Sequence, residues 1–188
     1  MTISVCGGRR WRGPGTSKRD FASHGIAIEV KTTSHGTRLH HFGSIEQLDP
    51  QLPGEEVFLF SVGIRQDPSA PMKLPHYIGD VESGLTTLSG APDEPAVGRF
   101  HERLRTYGYN SQLGPIYMSL PGFRPPHLTP AIFRERDLDR LRVTSFKGDH
   151  LPGMVVSVGY TLEVQAAELA PADADFVLER LLRSAALD

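Results

Sequence analysis

The chain has 188 residues, 39% hydrophobic and 22% charged, with a formal net charge of −2. That is long enough for one domain with a core of its own, or one domain plus a small appendage. A single cysteine, Cys6, excludes an intrachain disulfide and a thiolate zinc cluster and fits a cytoplasmic setting, while no apolar run approaches the ~20 residues of a membrane helix.

Charge is unevenly spread. Residues 1–41 hold seven Lys and Arg against two Asp and Glu, whereas the remaining 147 hold 13 against 20. A basic end on an acidic body suits a face that meets phosphate, or a solvated basic arm.

In chain order, residues 1–19 are rich in Gly, Arg and Ser, and Gly13-Pro14-Gly15 fixes a loop there. Ile26, Ile28 and Val30 then alternate with Ala27, Glu29 and Lys31, which predicts a strand over 25–33. Ser44-x-x-Gln47 resembles a capping box opening a short helix that ends before Pro50 and Pro53. Val57 to Ile64 reads as a buried strand. Residues 65–95 look irregular, with one short helix near Val81. Val97, Phe100, Leu104 and Tyr107 mark an amphipathic helix that stops at Gly108. Ile116–Leu120 and Leu141–Phe146 read as strands. Alternation over 155–164 predicts the longest strand of the second half. A helix over 171–186 closes the chain, with Pro171 at its start and Phe176, Val177, Leu181 and Leu182 on one face.

The chemistry is concentrated between Asp20 and Lys31. Glu29 and Lys31 stand two apart on the predicted strand, so both side chains leave one face while Val30 leaves the other. Two charges on an apolar strand are costly to bury unless something pairs with them. Asp20 lies nine residues before Glu29, the distance at which a short strand and a tight turn bring the two side by side. Paired carboxylates can hold Mg²⁺, with Mn²⁺ as an alternative, since such hard cations prefer oxygen ligands. The cation would lower the pKa of a bound water, and Lys31 would stabilise charge developing on a phosphoryl oxygen. The same residues could instead form a surface ion pair on an edge strand.

These residues resemble the bacterial PD-(D/E)XK motif proteins, a branch of the restriction-endonuclease-like superfamily. The likeness runs through Trp11-Arg12-Gly13-Pro14, Asp20-Phe21, Glu29-Val30-Lys31, Gln47-Leu48, Gly108-Tyr109 and Val158-Gly159-Tyr160. It implies an α/β fold with a mixed sheet flanked by helices and an additional C-terminal strand and helix region. It also implies DNA as substrate and a role in restriction or anti-phage defence beside other proteins. In that family a helix with a Gly-x-x-Gly-Glu-Leu type motif precedes the Trp loop. Residues 1–10 hold no such motif, so the chain is expected to be truncated at its N-terminus. A non-catalytic DNA-binding or assembly module is the alternative reading. Residues 1–70 are expected to form the nuclease-like core, with 71–188 packing on it.

Gln47 either caps its own turn or supports the catalytic group. Arg12, Lys18, Arg19 and Thr32 are candidate nucleic-acid contacts, the basic ones for the backbone and Thr32 through its hydroxyl. His40 and His41 lack the further ligands a metal site needs.

Overall fold

The computed structural model describes residues 18–23, 25–86, 90–124, 128–146, 153, 155 and 157–183. The Trp11-Arg12-Gly13-Pro14 loop and His24 lie outside them.

Strands β1 (Phe21–Ser23) and β2 (Ile26–Thr33) form the expected hairpin, with Phe21 opposite Ile28 and Ser23 opposite Ile26. Gly25 sits in the turn at φ +74°, a left-handed conformation that costs glycine nothing sterically. Strand β3 (Leu39–Phe42) leads to a 3-10 turn over Ile45–Gln47, shorter than the helix its capping pattern suggests. Strand β4 (Glu56–Gly63) runs parallel to β2, setting Leu59 beside Glu29 and Ser61 beside Lys31. A short ladder joins β5 (Gln66–Asp67) to β6 (Gly122–Phe123). Between them lie helices α1 (Leu74–Gly84), α2 (Glu94–Thr106) and α3 (Gly114–Ser119). Strand β7 (Leu128–Arg134) pairs antiparallel with β4, strand β8 (Tyr160–Glu163) pairs antiparallel with β3, and helix α4 (Pro171–Arg183) follows.

The result is an α/β architecture. Among the described residues its main sheet is mixed, with strand order β1-β2-β4-β7, and a separate two-stranded ribbon is formed by β3 and β8. Period-two alternation gives the main sheet two different faces. Ile26, Ile28, Phe58 and Ile132 line one face and are covered by α4 through Val177 and Leu181. Ala27, Val57, Leu59, Ala131 and Phe133 line the other, packed against Phe42, Leu48, Leu138 and Val164. Burying each of the larger side chains contributes about 1.5–3 kcal/mol, so both layers hold the sheet in place. A polar tie joins the ribbon side to the loop after the 3-10 turn. Buried Arg140 donates to Asp49 at 2.6 Å, to the Leu48 carbonyl at 3.3 Å and to Glu135. Burial opposes its charge, but the hydrogen bonds to Asp49 and Glu135 outweigh it and raise its pKa.

Three further predicted elements differ from the structure. Ile116–Leu120 is not a strand. It falls largely within α3, because Pro115 stands in the first turn of a helix, where its missing N–H is harmless. Leu141–Phe146 contains only a 3-10 turn at Val143–Ser145, closed by a Ser145 N–H to Arg142 carbonyl bond of 2.9 Å. The long strand expected over 155–164 narrows to β8. Residue 156 of that run lies outside the described residues, and 157–159 are not in a ladder. Conversely, β7 has no counterpart in the sequence reading, where Pro130 obscures it. Proline cannot donate to a ladder and is confined to edges and bulges, and here it stands in an edge strand where the register shifts between Ser61 and Gly63. The last helix matches its prediction through Arg183, and 184–186 lie outside the described residues.

Candidate active site

The hairpin register that sets Phe21 against Ile28 brings Asp20, one residue earlier, opposite Glu29. Strand β1 begins only at Phe21, and the Asp20 side chain continues the pairing in place of backbone. Its Oδ2 accepts the Val30 N–H at 2.8 Å. Glu29 is 3% exposed and shares its sheet face with Lys31. Lys31 Nζ lies 2.9 Å from Glu29 Oε1. Gln47 reaches the same oxygen from the 3-10 turn, its Nε2 donating at 2.9 Å, while its own Oε1 accepts the Gly43 N–H at 2.7 Å. Gln47 thus does both things its position allows. It ties its own turn to the backbone and holds the carboxylate. Ser44, by contrast, makes no side-chain cap bond.

Electrostatics reinforces this geometry. Burial pushes the Glu29 carboxyl up, the Lys31 hydrogen bond pulls it back, and the Asp20 charge adds to the rise. The Phe42 ring also faces the lysine, its centroid 5.1 Å from Nζ. Tyr107, just past α2, was legible in the sequence only as part of an apolar stripe. Its phenol is pushed up by burial first and then by the charges of Asp20 and Glu29, so it stands within electrostatic reach of both carboxylates.

The proposed nucleic-acid contacts divide. Arg12 lies outside the described residues. Lys18 is on the surface, 3.2 Å from Glu46. Arg19 is turned inward instead of toward a solvent-exposed face. It is 5% exposed and donates to the carbonyls of Glu46, at 2.7 Å, and Asp49. Its guanidinium fixes the loop that carries Gln47, and burial lowers its pKa. Thr32 is exposed, but the alternation that aligns Glu29 with Lys31 sends Thr32 out of the opposite face. His40 is buried against Ser61, Nε2 to Oγ 2.8 Å, and burial lowers its pKa. It is a packing group beside the site. A groove of about 420 Å³ lined by Asp137, Asp139, Leu162 and Glu163 contains none of the candidate residues, and its acidic wall would repel phosphate.

Among the described residues no group of three or more His, Cys, Asp and Glu side chains is gathered as a metal cage. What the site offers is two carboxylates, each with one oxygen engaged. Asp20 Oδ2 is taken by Val30, and Glu29 Oε1 by Lys31 and Gln47. The remaining oxygens form a hard, all-oxygen donor set, which fits a cation that keeps several waters better than a dedicated protein cage.

A mixed four-stranded sheet flanked by helices, in which the strand carrying Glu29 and Lys31 pairs antiparallel with the strand that follows Asp20, is consistent with the PD-(D/E)XK nuclease-like fold. The chain belongs to the family described as "Putative PD-(D/E)XK family member, (DUF4420)", whose model matches residues 8–165. Members of PD-(D/E)XK families typically use divalent metals. Neither a curated protein nor a solved structure is matched. No helix among the described residues is long and apolar enough to cross a membrane.

Proposed function

We propose that the protein is a Mg²⁺-dependent DNA phosphodiesterase, with Mn²⁺ able to substitute, acting in the cytoplasm in restriction or anti-phage defence beside other proteins. The observation that carries this reading is the pairing of Lys31 with the buried Glu29 carboxylate on one sheet face, with Asp20 held at the neighbouring Val30 N–H and its charge felt by Glu29. A buried ion pair is a weak stabiliser of a fold. Two charged side chains held on an apolar sheet face are therefore better explained by chemistry than by stability.

In this reading Asp20 and Glu29 would hold the cation. When bound, that cation supplies an activated water and polarises the phosphoryl oxygen. Lys31 places a compact positive charge where negative charge accumulates on the phosphate. Gln47 keeps the Glu29 carboxylate in one orientation, as hydrogen-bonded partners of metal ligands generally do. Lys18 and, beyond the described residues, Arg12 supply backbone contacts. Residues 1–70 carry the catalytic side chains, with 71–188 packing on them.

The test is cleavage of plasmid DNA with Mg²⁺ or Mn²⁺ by the wild type, Glu29→Ala and Lys31→Ala. Each substitution is expected to slow cleavage by about 100-fold or more. Cleavage that survives both would remove this site from the mechanism. Salt-sensitive DNA binding with no metal-dependent cleavage by the wild type would assign the non-catalytic module instead.

A further inference from the structure

Lysine is a poor choice for a fixed charge unless something holds it. Four rotatable bonds let the ammonium wander, and a point charge acts well only where it is placed. Glu29 supplies one restraint at 2.9 Å. We propose that Phe42 supplies the second, as a positioning residue whose ring face seats the Lys31 ammonium. This rests on the reading of Lys31 as a catalytic group.

Three observations carry the proposal. The Lys31 Nζ lies 5.1 Å from the Phe42 ring centroid, within the range where the negative face of an aromatic ring attracts a cation. The ammonium stem is only 20% exposed, so this attraction is weakly screened by water. The ring itself is immobilised. Phe42 is fully buried and stacks on Tyr160 with centroids 5.1 Å apart and planes 16° from parallel. That stack follows from the ladder, because Phe42 and Tyr160 are register partners between β3 and β8. Gly159 permits the close approach, since a Cβ there would lie 3.1 Å from the Phe42 carbonyl oxygen. Phe42 and Tyr160, from opposite ends of the sequence, thus form a two-ring wall behind the lysine. Carboxylate and ring together restrict where the ammonium can go.

Phe42 also packs in the core, so the test must separate shape from ring charge. Amber suppression at position 42 can install 4-fluoro-, 3,5-difluoro- and 3,4,5-trifluorophenylalanine, which keep the ring nearly isosteric while draining its negative face. Relaxation of ¹³Cε-labelled lysine reads the order of the Lys31 side chain directly and needs no cleavage activity. The expected result is a stepwise loss of Lys31 order along the series with Tm nearly constant. In parallel, kcat for plasmid cleavage should fall by about 3- to 10-fold in total with KM unchanged. Lys31 order that stays constant across the series overturns the proposal, whether or not the protein cleaves DNA. Graded order in a protein that cleaves nothing would keep the ring seat and refute the phosphodiesterase reading alone.

Discussion

Replacing Arg140 with methionine should destabilise the protein more than any surface substitution. The Arg140 side chain is 1% exposed and is the point where Asp49 and Glu135 meet. Methionine fills most of the volume but leaves two partly buried carboxylates without that donor. Breaking a buried pair by removing one partner costs about 3–5 kcal/mol. The lower end applies here for two reasons. Asp49 is 22% exposed and can recover some hydration, and Glu135 keeps Arg142 at 3.3 Å. A loss of about 3 kcal/mol in a chain of this size lowers Tm by about 6–12 °C. Urea titration followed by circular dichroism gives the free energy, and scanning calorimetry gives Tm. Adding Asp49→Asn and Glu135→Gln to Arg140→Met should return much of the loss, because the unpaired charges are then gone. A single variant melting within 2 °C of wild type, on a scale of about 2–4 °C per kcal/mol, would refute this account of the network.

Gln47→Met removes the bonds to both Glu29 and the Gly43 N–H, and cleavage should fall by about 10- to 100-fold in the plasmid assay. Gly122→Ala would put a Cβ 2.3 Å from the Met72 carbonyl oxygen and 2.8 Å from that of Ala70, so the backbone must shift; calorimetry should show a cost of about 1–3 kcal/mol. Gly98→Ala, in the middle of α2 with open space around it, should instead stabilise by up to about 1 kcal/mol in the same measurement. His40 is held neutral by burial, with a folded pKa below its unfolded value near 6.5. Its contribution is therefore complete above about pH 6.5 and lost as pH falls toward the folded pKa. A urea series from pH 7.5 to 5 should show that decline, and His40→Asn should flatten it.

Much of this was legible because alternation is a local rule. Parity alone places Glu29 and Lys31 on one face of β2, and counting back through a hairpin places Asp20 opposite Glu29. The same parity sends Thr32 to the other face, so its adjacency in sequence to Lys31 does not make it a neighbour in the site. What escaped was tertiary. Strand β7 hides behind Pro130, whose tolerance depends on lying at an edge with a shifted register, and neither condition can be read from the residues around it. The apolar run Ile116–Leu120 suits a helix or a strand equally, and Pro115 tips it to a helix only through its place in the first turn. Arg19 sits among basic residues that look destined for solvent. Carbonyls 27 and 30 residues away turn it inward instead. Phe42 and Tyr160 are unremarkable singly, and their value appears only when β3 meets β8.

Asp20, Glu29, Lys31 and Gln47 all precede in the chain β7, which flanks β4, and β8, which braces Phe42, so those two strands are translated later. A nascent chain thus carries these candidate site residues before the strands that brace them have been made. Under the proposed function, hydrolytic competence would be deferred until translation has passed Glu163, a built-in delay for a polypeptide made in the company of nucleic acids.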